Sequence, residues 1–170
     1  ERDKGGGVRR RRGRDAIVLA IGIYMALALL WLCTAAKRGW PAEAGPNWSG
    51  IIIHTTDTGP NYTKEMCDEY HGSKGWDGCG YSWMLSPDGG VIEVRGYSRI
   101  GAHTLGQNSR YLGIAFVGHS SITPQQLVAF AELREELEDK FGPLEILPHR
   151  HFNKNKTCPG DEVWEKVKVL

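Results

Sequence analysis

Three side chains with an affinity for zinc stand far apart in the sequence. His54 closes the run Ile51-Ile52-Ile53, His149 follows the short run Glu145–Leu147, and Cys158 sits in Thr157-Cys158-Pro159-Gly160. Imidazole nitrogen and thiolate sulfur are borderline and soft donors that suit zinc, and a catalytic zinc site uses three protein ligands while leaving a fourth position for water. A cysteine in a Thr-Cys-Pro-Gly turn is an odd place for a core thiol. The separation of His149 from Cys158 lacks the close repeats of a zinc finger, so the same residues also read as three unrelated side chains with Cys158 half-buried.

The elements that must position these residues follow from the local pattern. Ile51–Ile53 is a β-branched run and predicts a buried strand ending on His54. Asn61–Tyr70 has a helical look and is stopped by Gly72. Tyr81–Leu85 and Val91–Arg95 flank Ser86-Pro87-Asp88-Gly89-Gly90, which predicts a hairpin. Tyr111–Gly118 reads as a second buried strand. Thr123-Pro124-Gln125-Gln126 opens a helix with Thr123 as N-cap, Pro124 at N1 and Gln126 completing a capping box. Leu127, Phe130, Leu133, Leu137 and Phe141 recur at helical spacing as its core face, and Gly142-Pro143 stops it. Glu145–Leu147 predicts a last strand leading to His149, and Glu162–Val169 a short terminal helix. The order β, α, β, β, β, α, β, α implies an α/β fold, a single mixed β-sheet with helices packed on it.

Four domains of composition divide the 170 residues. Residues 1–15 form a basic arm with seven basic and three acidic side chains. Residues 16–36 (AIVLAIGIYMALALLWLCTAA) carry no charge, and as a helix they span roughly 31 Å, close to the ~30 Å hydrocarbon core of a bilayer. They predict one transmembrane helix held as a signal anchor, with a signal peptide cut after Thr34-Ala35-Ala36 as the competing reading. The Arg-rich flank ahead of the span outweighs Lys37-Arg38 behind it, which keeps the N-terminus inside and exports the remainder to the outer side of the cytoplasmic (inner) membrane. Residues 37–48 read as a linker, and residues 49–170 as the folded domain, large enough for one modest core. Residues 39–170 have 12 basic against 17 acidic side chains, which excludes a general nucleic-acid-binding surface. The 22 glycines and 8 prolines lack a triplet period, which excludes collagen, and four cysteines are too few and scattered for a disulfide-stapled miniprotein. Pairing of Cys67 with Cys79 and two free thiols are both open.

Five segments from Ile51 onward, in order, give the sequence a family resemblance. They are IIIHTT (51–56), GWDGCGYSWMLSPDGGVIEVRG (75–96), GAHTLGQNSRYLGIAFVG (101–118), TPQQL (123–127) and PHRHFNKNKTCPG (148–160). Together they resemble the zinc-dependent N-acetylmuramoyl-L-alanine amidases of the phage-lysozyme and peptidoglycan-recognition-protein superfamily. The resemblance implies that His54, His149 and Cys158 hold one Zn2+, with Tyr81 and Lys156 catalytic. It places Trp76, His103, Asn108 and Arg110 around the substrate groove, although for Asn108 and Arg110 a turn and a solvated charge are equal readings. His71 and His119 read as structural or surface. Thr55 and Thr56 read as partners of His54 or of a metal-bound water, or as plain strand-end residues. Three positions depart from the family pattern: Ser82 after the tyrosine, Pro148 before the second histidine, and His151 where aspartate is usual. His151 is therefore a competing ligand to His149.

The resemblance further implies hydrolysis of the amide between N-acetylmuramic acid and L-alanine in bacterial peptidoglycan, as a membrane-anchored endolysin or a wall-remodelling enzyme. Tyr81 would orient water or pass a proton to the leaving amine, and Lys156 would stabilise the oxyanion. Two alternatives are a non-catalytic peptidoglycan-binding module and a zinc peptidase acting within the stem peptide. Oligomeric state is not legible in the sequence.

Overall fold

The computed structural model describes residues 47–170. The expectations for the basic arm, the membrane-spanning helix 16–36 and nearly all of the linker fall outside the described residues. Among the described residues no helix is long and apolar enough to cross a membrane.

Among the described residues nine elements occur, the eight expected in the expected order and a 3-10 turn besides. They are β1 (Gly50–Thr55), α1 (Lys64–Ser73), β2 (Trp83–Leu85), β3 (Val91–Glu93), β4 (Tyr111–Phe116), α2 (Pro124–Phe141), β5 (Glu145–Pro148), a 3-10 turn (His149–His151) and α3 (Asp161–Val167). The five strands form one sheet in the order β3-β2-β4-β1-β5. β1 lies in the centre, parallel to both β4 and β5, and only the β2–β3 hairpin is antiparallel. In this register His54 lies opposite Ala115 and Ile53 opposite Pro148, so His54 and the start of the 3-10 turn emerge at the same, carboxyl end of the parallel strands. That end is where open α/β sheets present their sites.

The two faces of the sheet carry different loads. Ile51, Ile53, Trp83, Leu85, Leu112, Ile114 and Phe116 pack against Phe130, Leu133 and Leu137 of α2 and Val163 and Val167 of α3. The opposite face has a smaller cluster built from Met84, Ala115, Val117, Cys67 and Cys79. At the start of α2 the Thr123–Gln126 capping box is present as expected. Gln126 does more than cap: fully buried, its Nε2 donates to the carbonyls of Leu85 (2.9 Å) and Val117 (3.0 Å), pinning the helix to the ends of β2 and β4. Leu127 and Phe141, expected in the core face, are only part-buried, and Ala129 takes a core position.

Trp48 corrects the expected domain boundary. It falls in the predicted linker, yet its ring is buried in the main core and its Nε1 donates to Tyr97 O at 3.1 Å. Burying a ring of that size outweighs a Pro- and Gly-rich neighbourhood, which is all that local composition registers.

Candidate metal centre

β1 delivers His54 at its buried end, and the 3-10 turn after β5 delivers His149 beside it, with ring centroids 4.5 Å apart. Cys158 closes the cluster from the loop ahead of α3, where Arg150 N–H donates to Cys158 O at 3.0 Å and ties the two segments together. One donor atom each from His54, His149 and Cys158 lies within 4.8 Å of the other two. The His54 Nδ1 to Cys158 Sγ separation is 3.8 Å. Zinc takes nitrogen at about 2.0–2.1 Å and sulfur at about 2.3 Å in a tetrahedron, so donors 3.8 Å apart are close to their required spacing. The donor set therefore fits zinc. His151 is exposed and rests on the Phe152 ring at 4.9 Å, so the turn presents His149, not His151, to His54.

Without a metal, burial disfavours charge on all three donors. Burial, reinforced by His103 and His149, pulls the His54 imidazole well below its usual value. Burial and the nearby Lys156 charge lower His149. Burial raises the Cys158 thiol, partly offset by the Thr55 backbone N–H, which donates to Sγ at 3.4 Å. The Thr55 amide thus serves the cysteine, and the Thr56 hydroxyl is engaged with Thr58 (2.7 Å) and the Gly118 backbone. Neither threonine is the partner of His54 that the sequence left open.

That partner is His103. It was expected on the substrate groove, but only 9% of it is exposed. Its Nδ1 lies 3.1 Å from His54 Nε2 and its Nε2 lies 3.1 Å from Tyr111 O. Burial brings its imidazole down to about 4, with the Tyr111 carbonyl acting in the opposite direction. The signal that sequence reading passed over was Gly113, in the middle of an otherwise bulky buried strand. Glycine there marks a close approach. A Cβ on Gly113 would meet His103 Cγ at 2.5 Å, and one on Gly101 would meet His103 Cδ2 at 2.5 Å.

Tyr81 stands against the cluster, its ring 5.3 Å from that of His54. Burial, then the neighbouring Cys158, drives its phenol upward and keeps it protonated. The loop that precedes it is clamped from several sides. A disulfide joins Cys67 of α1 to Cys79, settling the open pairing. Gly80 N–H donates to His71 Nδ1 (2.9 Å) and Cys79 N–H to Asp68 Oδ1 (2.7 Å). Arg95, unnoticed in the sequence, is buried and donates to the carbonyls of Asp77 (2.7 Å), Cys79 (2.8 Å) and Ile100 (2.8 Å). Ser82, the departure after the tyrosine, is buried and accepts from Gly113 N–H on Oγ at 3.1 Å.

A cleft of about 320 Å³ opens beside Tyr81, lined by Thr56, Asp57, Thr58, Tyr62, Tyr70 and His71. Trp76, expected as a wall, is 46% exposed with its ring 4.7 Å from that of the cleft residue His71, but does not itself line the cleft. Lys156 is exposed on the turn before Cys158, where its charge reaches His149. Asn108 and Arg110 are not brought to this cleft. Asn108 Oδ1 accepts from the backbone N–H groups of His103 (2.9 Å) and Thr104 (2.8 Å), holding their turn. Arg110 is exposed just ahead of β4, at the opposite end of the strand from the residues paired with His54. His71 is structural, as expected, and His119 is exposed beside Asp57 at 3.0 Å.

Known proteins resemble this arrangement. Peptidoglycan-recognition protein SC2 of Drosophila simulans is 27% identical over 178 residues, covering 91% of this chain and 95% of that one. The endolysin of Enterobacteria phage K11 is 30% identical over 131 residues, covering 71% of this chain and 86% of its own. Among solved structures, the N-acetylmuramoyl-L-alanine amidase LysC from Clostridium intestinale superposes with a TM-score of 0.68 at 31% identity, over 72% of this chain and 84% of that one. The pattern that defines the N-acetylmuramoyl-L-alanine amidase family matches residues 44–161, from just ahead of the buried Trp48 through all three candidate ligands. With fold, sequence pattern and site geometry in agreement, the chain belongs to the N-acetylmuramoyl-L-alanine amidase family.

Proposed function

We propose that the protein is a zinc-dependent hydrolase that cuts the amide between N-acetylmuramic acid and L-alanine in bacterial peptidoglycan. The observation that carries the reading is the convergence of His54, His149 and Cys158 with the Tyr81 ring at 5.3 Å from His54. Bound zinc supplies Lewis-acid polarisation of the scissile carbonyl and of water. The cleft lined by Tyr62, Tyr70 and His71 receives the substrate and leads to Tyr81. The Tyr81 hydroxyl, kept protonated by burial, donates a hydrogen bond at the reacting amide and is placed to hand a proton to the leaving nitrogen. Lys156 contributes positive charge where the carbonyl oxygen becomes negative. The clamps on residues 77–80 fix Tyr81 before substrate arrives, which is where a positioned group gains most.

The proposal extends to topology, supported by the sequence of residues 1–38. Residues 16–36 anchor the chain in the cytoplasmic membrane with the N-terminus inside, so the site faces the wall on the outer side. Both endolysin and wall-remodelling roles fit that placement.

Digestion of purified peptidoglycan with the full, zinc-loaded chain, read by mass spectrometry beside a chelated sample, tests the activity. Free stem peptides beginning with L-alanine, absent after chelation, are expected. Cuts inside the stem peptide would replace the amidase by a peptidase. Intact wall from folded, zinc-loaded protein would replace it by a recognition module.

A further inference from the structure

The hydrogen bonds around His103 define a proton arrangement. Tyr111 contributes a carbonyl, which only accepts, so the His103 Nε2 atom 3.1 Å away carries the hydrogen. A neutral imidazole then has its lone pair on Nδ1. His54 Nε2 lies 3.1 Å from that lone pair and must itself carry a hydrogen, because two lone pairs at this separation repel. Thr104 leaves this assignment unchanged: its hydroxyl oxygen, 3.5 Å from His54 Nε2, can accept part of that N–H, and its own hydrogen can at most share the one His103 Nδ1 lone pair 3.1 Å away. His54 is left with its free lone pair on Nδ1, the atom 3.8 Å from Cys158 Sγ.

The ring that enforces this is itself immobilised. Gly101 and Gly113 leave a slot with no room for a side chain on either residue, and His103 fills it. Asn108 fixes the backbone N–H groups of His103 and Thr104. Ser82 holds Gly113 twice, accepting its N–H on Oγ at 3.1 Å and donating its own N–H to Gly113 O at 2.7 Å.

We infer that His103 is a positioning residue for the metal ligand: a Tyr111 carbonyl–His103–His54 relay sets the tautomer and ring orientation of His54, so that Nδ1 faces the metal position. The inference rests on reading His54, His149 and Cys158 as the zinc site. It removes His103 from the groove, where it would have been a substrate contact, and puts it behind the site. Partners of this kind raise ligand basicity and hold ring orientation, and losing one costs roughly 10–100-fold in metal affinity.

Two substitutions separate positioning from packing. In His103→Gln the amide nitrogen can stand where Nε2 stood and still donate to Tyr111 O, but the lone pair 3.1 Å from His54 Nε2 is lost, leaving only the Thr104 hydroxyl at 3.5 Å. In His103→Asn the amide oxygen can stand where Nδ1 stood and still accept from His54, while the bond to Tyr111 is lost. The full chain, labelled with 15N in its histidines, is examined metal-free by long-range proton–nitrogen NMR. Zinc affinity of each variant is measured by chelator competition. The expected results are an Nε2-protonated His54 in the unmodified chain, a zinc affinity about 10–100-fold weaker in His103→Gln, and a smaller loss in His103→Asn. A His54 protonated on Nδ1, or a His103→Gln chain with undiminished zinc affinity, overturns the inference. If the unmodified chain binds no zinc, the metal reading fails by itself, and the tautomer measurement still decides the relay. If both variants unfold, the tautomer in the unmodified chain decides it.

Discussion

Replacing Gly113 by alanine puts one methyl group into the slot that His103 occupies. The added carbon would lie 2.5 Å from His103 Cγ, 2.6 Å from Cδ2 and 2.9 Å from Nδ1. Carbon atoms rest at about 3.5–4.0 Å, so the ring or the strand must give by about 1 Å. β4 is held on one side by β1 and on the other by Ser82, and the ring is backed by Gly101. A retreat of that size carries the 3.1 Å contacts to His54 and Tyr111 past the ~3.5 Å at which a hydrogen bond is no longer made. Overpacking of this kind costs about 1–3 kcal/mol, and each weakened hydrogen bond adds about 1 kcal/mol. The expected loss is about 3–5 kcal/mol, read as a drop in thermal midpoint of about 10–20 °C for a domain of this size. The assay is a double-mutant cycle on the metal-free chain, with Gly113→Ala made alone and in a His103→Ala background. Without the ring, the methyl has room, and Gly113→Ala should cost under about 0.5 kcal/mol. Equal costs in the two backgrounds would refute the idea that the glycine exists to admit the histidine.

Tyr81→Phe keeps the ring against His54 and removes the hydroxyl; turnover should fall about 10²–10³-fold with zinc content and thermal midpoint unchanged, and near-normal turnover would remove Tyr81 from the chemistry. Acid should unfold the metal-free domain early. His54, His71, His103 and His149 all fold with burial-lowered imidazole values, so below the ordinary ~6.5 the unfolded chain binds more protons and stability falls with pH. His103, held at about 4, accounts for about 3 kcal/mol of that loss between pH ~6.5 and ~4, and a urea midpoint that stays level over this range would contradict it. Replacing Cys67 and Cys79 together by alanine opens a loop with sequence separation 12 and should cost about 3 kcal/mol. It should also lower turnover by loosening the approach to Tyr81, and unchanged turnover at a temperature where the variant is folded would show that the remaining clamps suffice.

What could be read from the sequence was what local chemistry dictates. β1 and β4 are β-branched or aromatic runs, the β2–β3 turn is written in Ser86–Gly90, and α2 starts on a capping box, so each was legible without its neighbours. The two histidines and the cysteine stood out as zinc-type donors, but their spacing fitted three unrelated residues as well; the family resemblance grouped them, and the structure brings them together. His103, Asn108 and Arg110 share a segment with no period, and only the tertiary fold decides which of them faces the site. His103 goes inward because two glycines on different segments leave it space. Arg110 lies at the far end of β4 because it immediately precedes Tyr111, which pairs with Gly50, while His54 pairs with Ala115 at the other end. Trp48 and Arg95 escaped notice for a similar reason: their partners, Tyr97 O for one and the carbonyls of residues 77, 79 and 100 for the other, are distant in sequence or lie in loops.

The separation of 104 residues between His54 and Cys158 has a consequence for how the molecule comes into being. No fragment of the chain holds the ligand set: β1 alone carries one donor, and the other two arrive only after β4, α2 and β5 have taken their places on either side of it. Closing so long a loop is slow because its entropy is lost before any contact rewards it. The candidate metal centre is therefore among the last features to assemble, and a partly folded chain lacks the complete donor set. Metal binding by this donor set would report on the integrity of the whole sheet, not on three side chains.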